Sequence, residues 1–258
     1  MLFLLSPAKS LDYDTPAGDL PHTASPFARQ SAELIEVLRR KTPAQLSQLM
    51  GISDTLAALN AARYQAWSPR ATGRNAKQAI LAFNGDVYDG LDARSLQADD
   101  LAWAQQHLCI LSGLYGVLRP LDRMQPYRLE MGTALPLGEA ANLYQFWAPR
   151  IAAHLNARLA ADTSPVVVNL ASQEYFKSVD RKVLRGRVID CVFEDWKSGG
   201  YKVISFFAKK ARGLMARYAV TGRVSTPAGL LGFNLAGYGY DAAVSQPGRL
   251  VFRRRSPQ

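Results

Sequence analysis

Four apolar runs in this chain end in polar residues able to do chemistry. They terminate in Ser6-Pro7-Ala8-Lys9, Asn84-Gly85-Asp86-Val87-Tyr88, Ser112-Gly113-Leu114-Tyr115-Gly116 and Asn169-Leu170-Ala171-Ser172-Gln173-Glu174-Tyr175. Ligands of open α/β sheets bind outside the carboxyl ends of the strands. If these runs are neighbouring strands, hydroxyl, amide and carboxylate groups meet Lys9 on one rim. A lysine there attracts phosphate, and a desolvated one acts as a nucleophile. A fifth group, Lys209, Lys210 and Arg212, opens a helix read at 208–221, after a strand read at 201–207. Cations in a first helical turn oppose the helix dipole, so stability alone does not place them there. Ser, Asn and Gly are also ordinary turn residues, and the pattern marks a site more firmly than a reaction.

A second constellation lies at 42–60. Thr42-Pro43 reads as an N-cap followed by proline at the first helical position. Leu46, Leu49 and Met50 give that helix an apolar face, and Gly51 supplies the positive φ needed to leave it. Ser53 or Asp54 caps a second helix with an apolar face of Leu56, Ala57 and Leu59. Leu49-Met50-Gly51-Ile52-Ser53 followed by Ala57 resembles the helix-hairpin-helix, a reader of the DNA backbone. Backbone amides at such a hairpin, around Gly51, Ile52 and Ser53, receive phosphate without reading bases. The pattern has two departures: Ser53 replaces the usual second glycine, and Asn60 occupies its last apolar position. Asp54 also sets a negative charge where phosphate would come. A plain helical hairpin has the same outline.

Residues 119–132 hold Arg119, Asp122, Arg123, Arg128 and Glu130 in a stretch with two prolines. The arginines can clamp phosphate, with the carboxylates orienting them or moving protons. A structural ion-pair network accounts for the same residues equally well.

Composition narrows the classes. The chain has 258 residues, 48% hydrophobic, and a formal net charge of +10 from 31 Lys+Arg against 21 Asp+Glu. A basic balance of this size attracts polyanions. The opening Met-Leu-Phe-Leu-Leu is too short for a secretory h-region and reads as a buried strand. No apolar run approaches the roughly 18 residues that span a bilayer, so a soluble, cytoplasmic chain without membrane contact is expected. Cys109 and Cys191 lie in strand-like runs, where burial is the ordinary fate. His22, His107 and His154 stand singly, without metal-ligand spacing, and neither a stable metal nor a cofactor is expected.

The elements that must position these residues follow from periodicity. Helices are read at 28–40, 43–50, 54–66, 98–106 and 142–160, and strands at 79–83, 108–111, 166–170, 188–193 and 249–253. Ser198-Gly199-Gly200 reads as a hairpin turn between strands at 188–193 and 201–207. The alternation indicates an α/β fold with a mixed sheet surrounded by helices. The Arg253-Arg254-Arg255-Ser256-Pro257-Gln258 tail reads as frayed.

Taken together, the motifs resemble the YaaA family of peroxide-stress-resistance proteins. The residues that carry this are Leu5–Leu11, Phe83–Leu91, Leu111–Asp122, Gln125–Gly132, Asn169–Ser178 and Ala208–Met215, so the likeness covers essentially the whole chain. Ser10 stands where the family usually has Thr. The resemblance implies a cytoplasmic bacterial protein that protects against peroxide and limits free iron. It also implies one α/β domain of unusual topology over 1–258, with a basic cleft, a helix-hairpin-helix near 43–66 and double-stranded DNA as partner. A monomer is expected. No defined reaction comes with the resemblance. In the DNA-binding reading Gly51, Ile52, Ser53, Lys9, Lys209, Lys210 and Arg212 contact phosphate. In the rival reading, a lyase or glycosylase acting on a nucleoside or DNA base, Lys9 or Lys209 is the nucleophile and Glu174 the acid/base. Arg119 is then the anion clamp, with Tyr115 beside them. A non-enzymatic binder of a small phosphorylated ligand is the third class.

Overall fold

A computed structural model describes residues 1–255. The first strand, β1 (Leu2–Leu5), is buried at every position, as a parallel strand covered on both faces must be. β2 (Ser10–Leu11) is a short outlying piece. Three helices follow: α1 (Ala28–Arg39), α2 (Pro43–Met50) and α3 (Asp54–Ala66). Next come β3 (Lys77–Gln78), α4 (Ala79–Ala82), β4 (Phe83–Asn84) and α5 (Asp86–Leu91). α6 (Ala98–His107) leads into β5 (Leu108–Ser112), β6 (Gly116–Leu118) and β7 (Arg123–Met124). α7 (Leu143–Arg158), β8 (Val166–Asn169), α8 (Gln173–Phe176) and β9 (Arg187–Lys197) form the next crossovers. The chain closes with β10 (Gly200–Lys202), α9 (Ser205–Thr221), α10 (Pro227–Leu230), β11 (Gly239–Tyr240) and β12 (Arg249–Arg254).

The main sheet runs β11-β12-β9-β8-β1-β5-β6, with β10 added on β9. β5, β1, β8, β9 and β12 are mutually parallel, and β6, β10 and β11 run against them. The sheet is therefore mixed, and strands from both ends of the chain share it. Leu4 pairs with Cys109 on one side and Asn169 on the other. The carboxyl ends of β1, β5 and β8 therefore lie side by side; Ser112 and Asn169 are the last residues of β5 and β8, and Lys9 comes shortly after β1.

Three expectations are corrected. Residues 79–82 form the short buried helix α4, and only Phe83–Asn84 is extended, pairing with β2 beside the main sheet. An apolar run of that length carries no period that separates helix from strand. Ile204–Phe207 is also not strand: β10 ends at Lys202 and α9 begins at Ser205. The arginine tail is held, because Arg253 pairs with Glu194 and Asp241 and Arg254 with Asp195. Ser256, Pro257 and Gln258 lie outside the described residues.

Candidate functional site

An irregular segment, Gln125–Gly132, lies across the strand ends, held by tyrosines that sequence spacing does not reveal. The Tyr13 hydroxyl donates to the Met124 carbonyl at 2.6 Å, and that of Tyr64, on α3, donates to the Arg128 carbonyl. Tyr127 and Ser112 share a 2.6 Å bond at the end of β5. The Tyr115 hydroxyl accepts from Trp67 Nε1 at 3.1 Å and from the Gln125 amide at 2.9 Å. Tyr88 donates to the Ser6 carbonyl at 3.0 Å. These phenols satisfy buried backbone groups that a loop leaves unpaired.

The segment carries the charges of the rim. Glu130 lies between two cations, 2.8 Å from Lys9 Nζ and 3.0 Å from the Arg128 guanidinium. The Lys9 side chain is 64% exposed. Glu174 Oε1 accepts the Gly132 amide at 3.1 Å, so Lys9 and Glu174 flank the same segment. The cavity among Pro7, Lys9, Tyr127, Glu130 and Tyr175 measures only about 10 Å³.

Tyr115 and Arg119 are occupied elsewhere. Burial pushes the Tyr115 phenol up to about 12, so it stays neutral at physiological pH. Arg119 Nη2 lies 3.0 Å from Oδ1 of Asp122, which is fully buried and also takes the Arg119 amide at 2.7 Å. The structural reading of the 119–132 charges holds at this pair. No single cavity lined by Lys9, Tyr115, Arg119 and Glu174 is present among the described residues.

The helical hairpin has the expected bounds. Thr42 and Gln45 form a reciprocal capping box at α2, with bonds of 3.3 and 2.9 Å. Gly51 is left-handed at φ 60, ψ 43. Its amide and that of Ile52 both donate to the Ser47 carbonyl, the latter at 3.2 Å. Those two amides are thus spent within the hairpin. The amides of Ser53, Asp54 and Thr55 have no acceptor among the described residues, so the open donors lie at the start of α3. The apolar face read for α3 is also corrected. Leu56 and Leu59 are exposed, while Ala57, Asn60 and Tyr64 face inward. Asn60 tolerates burial because its Nδ2 donates to the Leu56 carbonyl at 2.8 Å and its Oδ1 accepts from Arg63 at 3.4 Å.

Because α9 begins at Ser205, Lys209 and Lys210 occupy its second turn, not its first, and oppose the dipole less than the sequence suggested. Both are exposed, whereas Arg212 is half-buried and burial draws its guanidinium below the usual arginine range. α9 crosses α5 at one glycine pair, Gly213 and Gly90. A Cβ on Gly213 would stand 1.8 Å from the Val87 carbonyl oxygen, and one on Gly90 would stand 2.2 Å from that of Lys210. From Trp196 to Tyr240 the sequence has no Asp or Glu, and the acids brought to α9 from elsewhere include Asp86 and Asp89 of α5.

Neither cysteine is activated. Cys109 and Cys191 are buried, and burial raises both thiols, with Asp190 adding to the rise at Cys191. Among the described residues no three His, Cys, Asp or Glu side chains group as metal ligands do, and no helix is long and apolar enough to cross a membrane.

A family model described as "Peroxide stress protein YaaA" matches residues 1–244. The chain belongs to this family. Curated relatives named UPF0246 protein include one from Paracidovorax citrulli, 70% identical over 256 residues and covering 99% of both chains. One from Albidiferax ferrireducens is 63% identical over 257 residues, covering 100% of this chain and 99% of its own. A third, from Polaromonas sp., is 66% identical over 255 residues and covers 99% of each. The YaaA family name carries a role in peroxide stress. The full-length relatives extend that likeness beyond residue 244, through β12 and the arginines at its end.

Proposed function

We propose that this YaaA-family protein acts in peroxide stress by binding duplex DNA through the sugar-phosphate backbone. The start of α3 holds one phosphate, and Lys9, Lys209, Lys210 and Arg212 extend the contact. The observation that carries this reading is the set of three amides without acceptors, at Ser53, Asp54 and Thr55, on the exposed start of a 13-residue helix. Amides so placed, with the helix dipole behind them, receive a phosphate whatever the base. The net charge of +10 supports the same reading. So does the bond from Tyr64 on α3 to Arg128, whose side chain shares Glu130 with Lys9. It ties the hairpin mechanically to the rim.

The lyase-like reading has less support. A Schiff-base lysine needs desolvation to become nucleophilic, and Lys9 is exposed and paired with Glu130.

Asp54 gives the test. It sits at the first helical position, and Ser53 before it is extended at ψ 155, so proline fits without strain. Asp54→Ala removes the carboxylate and keeps the amide, whereas Asp54→Pro removes both. Duplex affinity should rise for Asp54→Ala and fall for Asp54→Pro relative to Asp54→Ala. Equal affinities of the two variants would remove the hairpin from the interface.

A further inference from the structure

We infer that the turn Val203–Phe207, with the cations around it, is a stacking site for unpaired nucleobases. The protein then engages single-stranded or locally opened DNA as well as duplex. This rests on the reading that the protein binds DNA, and it names the form of DNA that this face takes.

The turn leaves apolar surface in water. Val203 is 53% exposed, Phe206 57% and Phe207 38%. Phe206 and Phe207 thus leave apolar area in water at two adjacent positions, although burying it is favourable. The core does not lack α9, which packs through Ala208, Ala211, Met215 and Ala216. Nor do the two rings shield each other. Their centroids are 5.7 Å apart at 63°, edge to face, so neither ring covers both faces of the other.

The Phe207 ring is also held in place. The Arg254 guanidinium lies 5.0 Å from the Phe207 centroid and 4.4 Å from that of Tyr238. Arg254 Nε is in turn fixed by Asp195 at 2.6 Å. A ring supported from behind loses little freedom on binding, which favours association.

Charge selects the occupant. Lys202, Lys209 and Lys210 are exposed around the turn, no acid occurs along the chain from residue 196 to 240, and Asp86 and Asp89 come to α9 on the packed helix α5. The acid that precedes this stretch, Asp195, is 3% exposed and is taken up by Arg254 and the Tyr238 hydroxyl. Flat apolar faces inside a positive field fit a ligand with aromatic faces on a polyanionic backbone, which is unpaired nucleic acid. An apolar protein groove gives no reason for the surrounding lysines.

The test compares a labelled oligothymidylate with a labelled duplex by fluorescence anisotropy. The proteins are the parent, Phe206→Ala/Phe207→Ala, Phe206→Tyr/Phe207→Tyr and Phe206→Leu/Phe207→Leu. All the changes are at surface positions, and thermal melts verify folding. Stacking is worth roughly 1–3 kcal/mol per base, so the Ala pair should lose about tenfold or more in single-strand affinity. Its duplex affinity should stay within about twofold. The Tyr pair should keep single-strand binding and the Leu pair should lose it, because only the former retains a π face. Unchanged single-strand binding by the Ala pair, or Leu equal to Tyr, overturns the inference. Duplex bound without single strand by the parent protein overturns it and leaves the proposed function standing, while no binding of either overturns both. Loss of binding to phosphatidylglycerol vesicles by the Ala pair, with single-strand binding intact, would make the turn a lipid contact and also overturn it.

Discussion

At Asp54 two effects of opposite sign share one residue. Its backbone amide points out of a helix start that favours anions, while its exposed carboxylate repels them. The Ala and Pro substitutions separate these effects without touching the fold. His154 shows the same economy of scale for stability. Its Nε2 is buried without a partner, and its ring lies edge-on to Phe27 at 5.4 Å. Burial, then Arg158 and Arg119, lower its pKa from 6.5 to about 4. The folded protein thus resists a proton that the unfolded chain accepts, and ∂ΔG/∂pH is positive between those values. The neutral ring's contribution is whole above about pH 6.5 and is lost as pH falls, completely by about pH 4. Urea midpoints across that window should fall more for the parent protein than for His154→Leu. Parallel pH dependence of the two would mean that His154 does not contribute to acid sensitivity.

At the scale of elements, two glycines show how different their roles can be. Gly51 has open space where a Cβ would stand, so Gly51→Ala meets only the left-handed backbone cost of about 1–2 kcal/mol. Gly213 lies against the α5 backbone, where a Cβ would come within 1.8 Å of Val87. Gly213→Ala must push α5 from α9 and should cost about 3 kcal/mol, lowering the thermal midpoint by roughly 5–10 °C. A midpoint shift no larger than that of Gly51→Ala would refute the close crossing. The sequence shows both glycines, but only the fold shows what lies against them. The same limit governs the site. The hairpin was legible because a capping box, a left-handed glycine and a Ser cap act within a few residues of each other. The three neighbouring strand ends were legible from their polar punctuation. The tyrosine bonds to Met124, Arg128 and Ser6 join residues 111, 64 and 82 positions apart, to backbone oxygens that no residue type announces. Tyr115 and Arg119 have the chemistry of catalytic residues, and the fold engages them with Trp67, Gln125 and buried Asp122. The arginines of β12 looked free because Glu194, Asp195 and Asp241 are remote along the chain from at least one of them.

Over the whole molecule, the parallel strands β12, β9, β8, β1 and β5 point their carboxyl ends the same way. Lys9 follows β1, and Arg253 and Arg254 end β12, each paired with a carboxylate on that side of the sheet. In the proposed binding mode, a chain of net charge +10 would contact phosphate through amides, lysines and arginines and displace condensed counterions. Each neutralised phosphate of a duplex contributes about −0.9 to the slope of log affinity against log salt. Sequence preference should be slight, because phosphate contacts position a protein without specifying bases. The most direct measurement is duplex affinity across a salt series, with two unrelated sequences of equal length. The account predicts a linear log–log plot with a slope of roughly −3 or steeper and nearly equal affinities for the two duplexes. A flat salt dependence, or strong binding confined to one sequence, would contradict it.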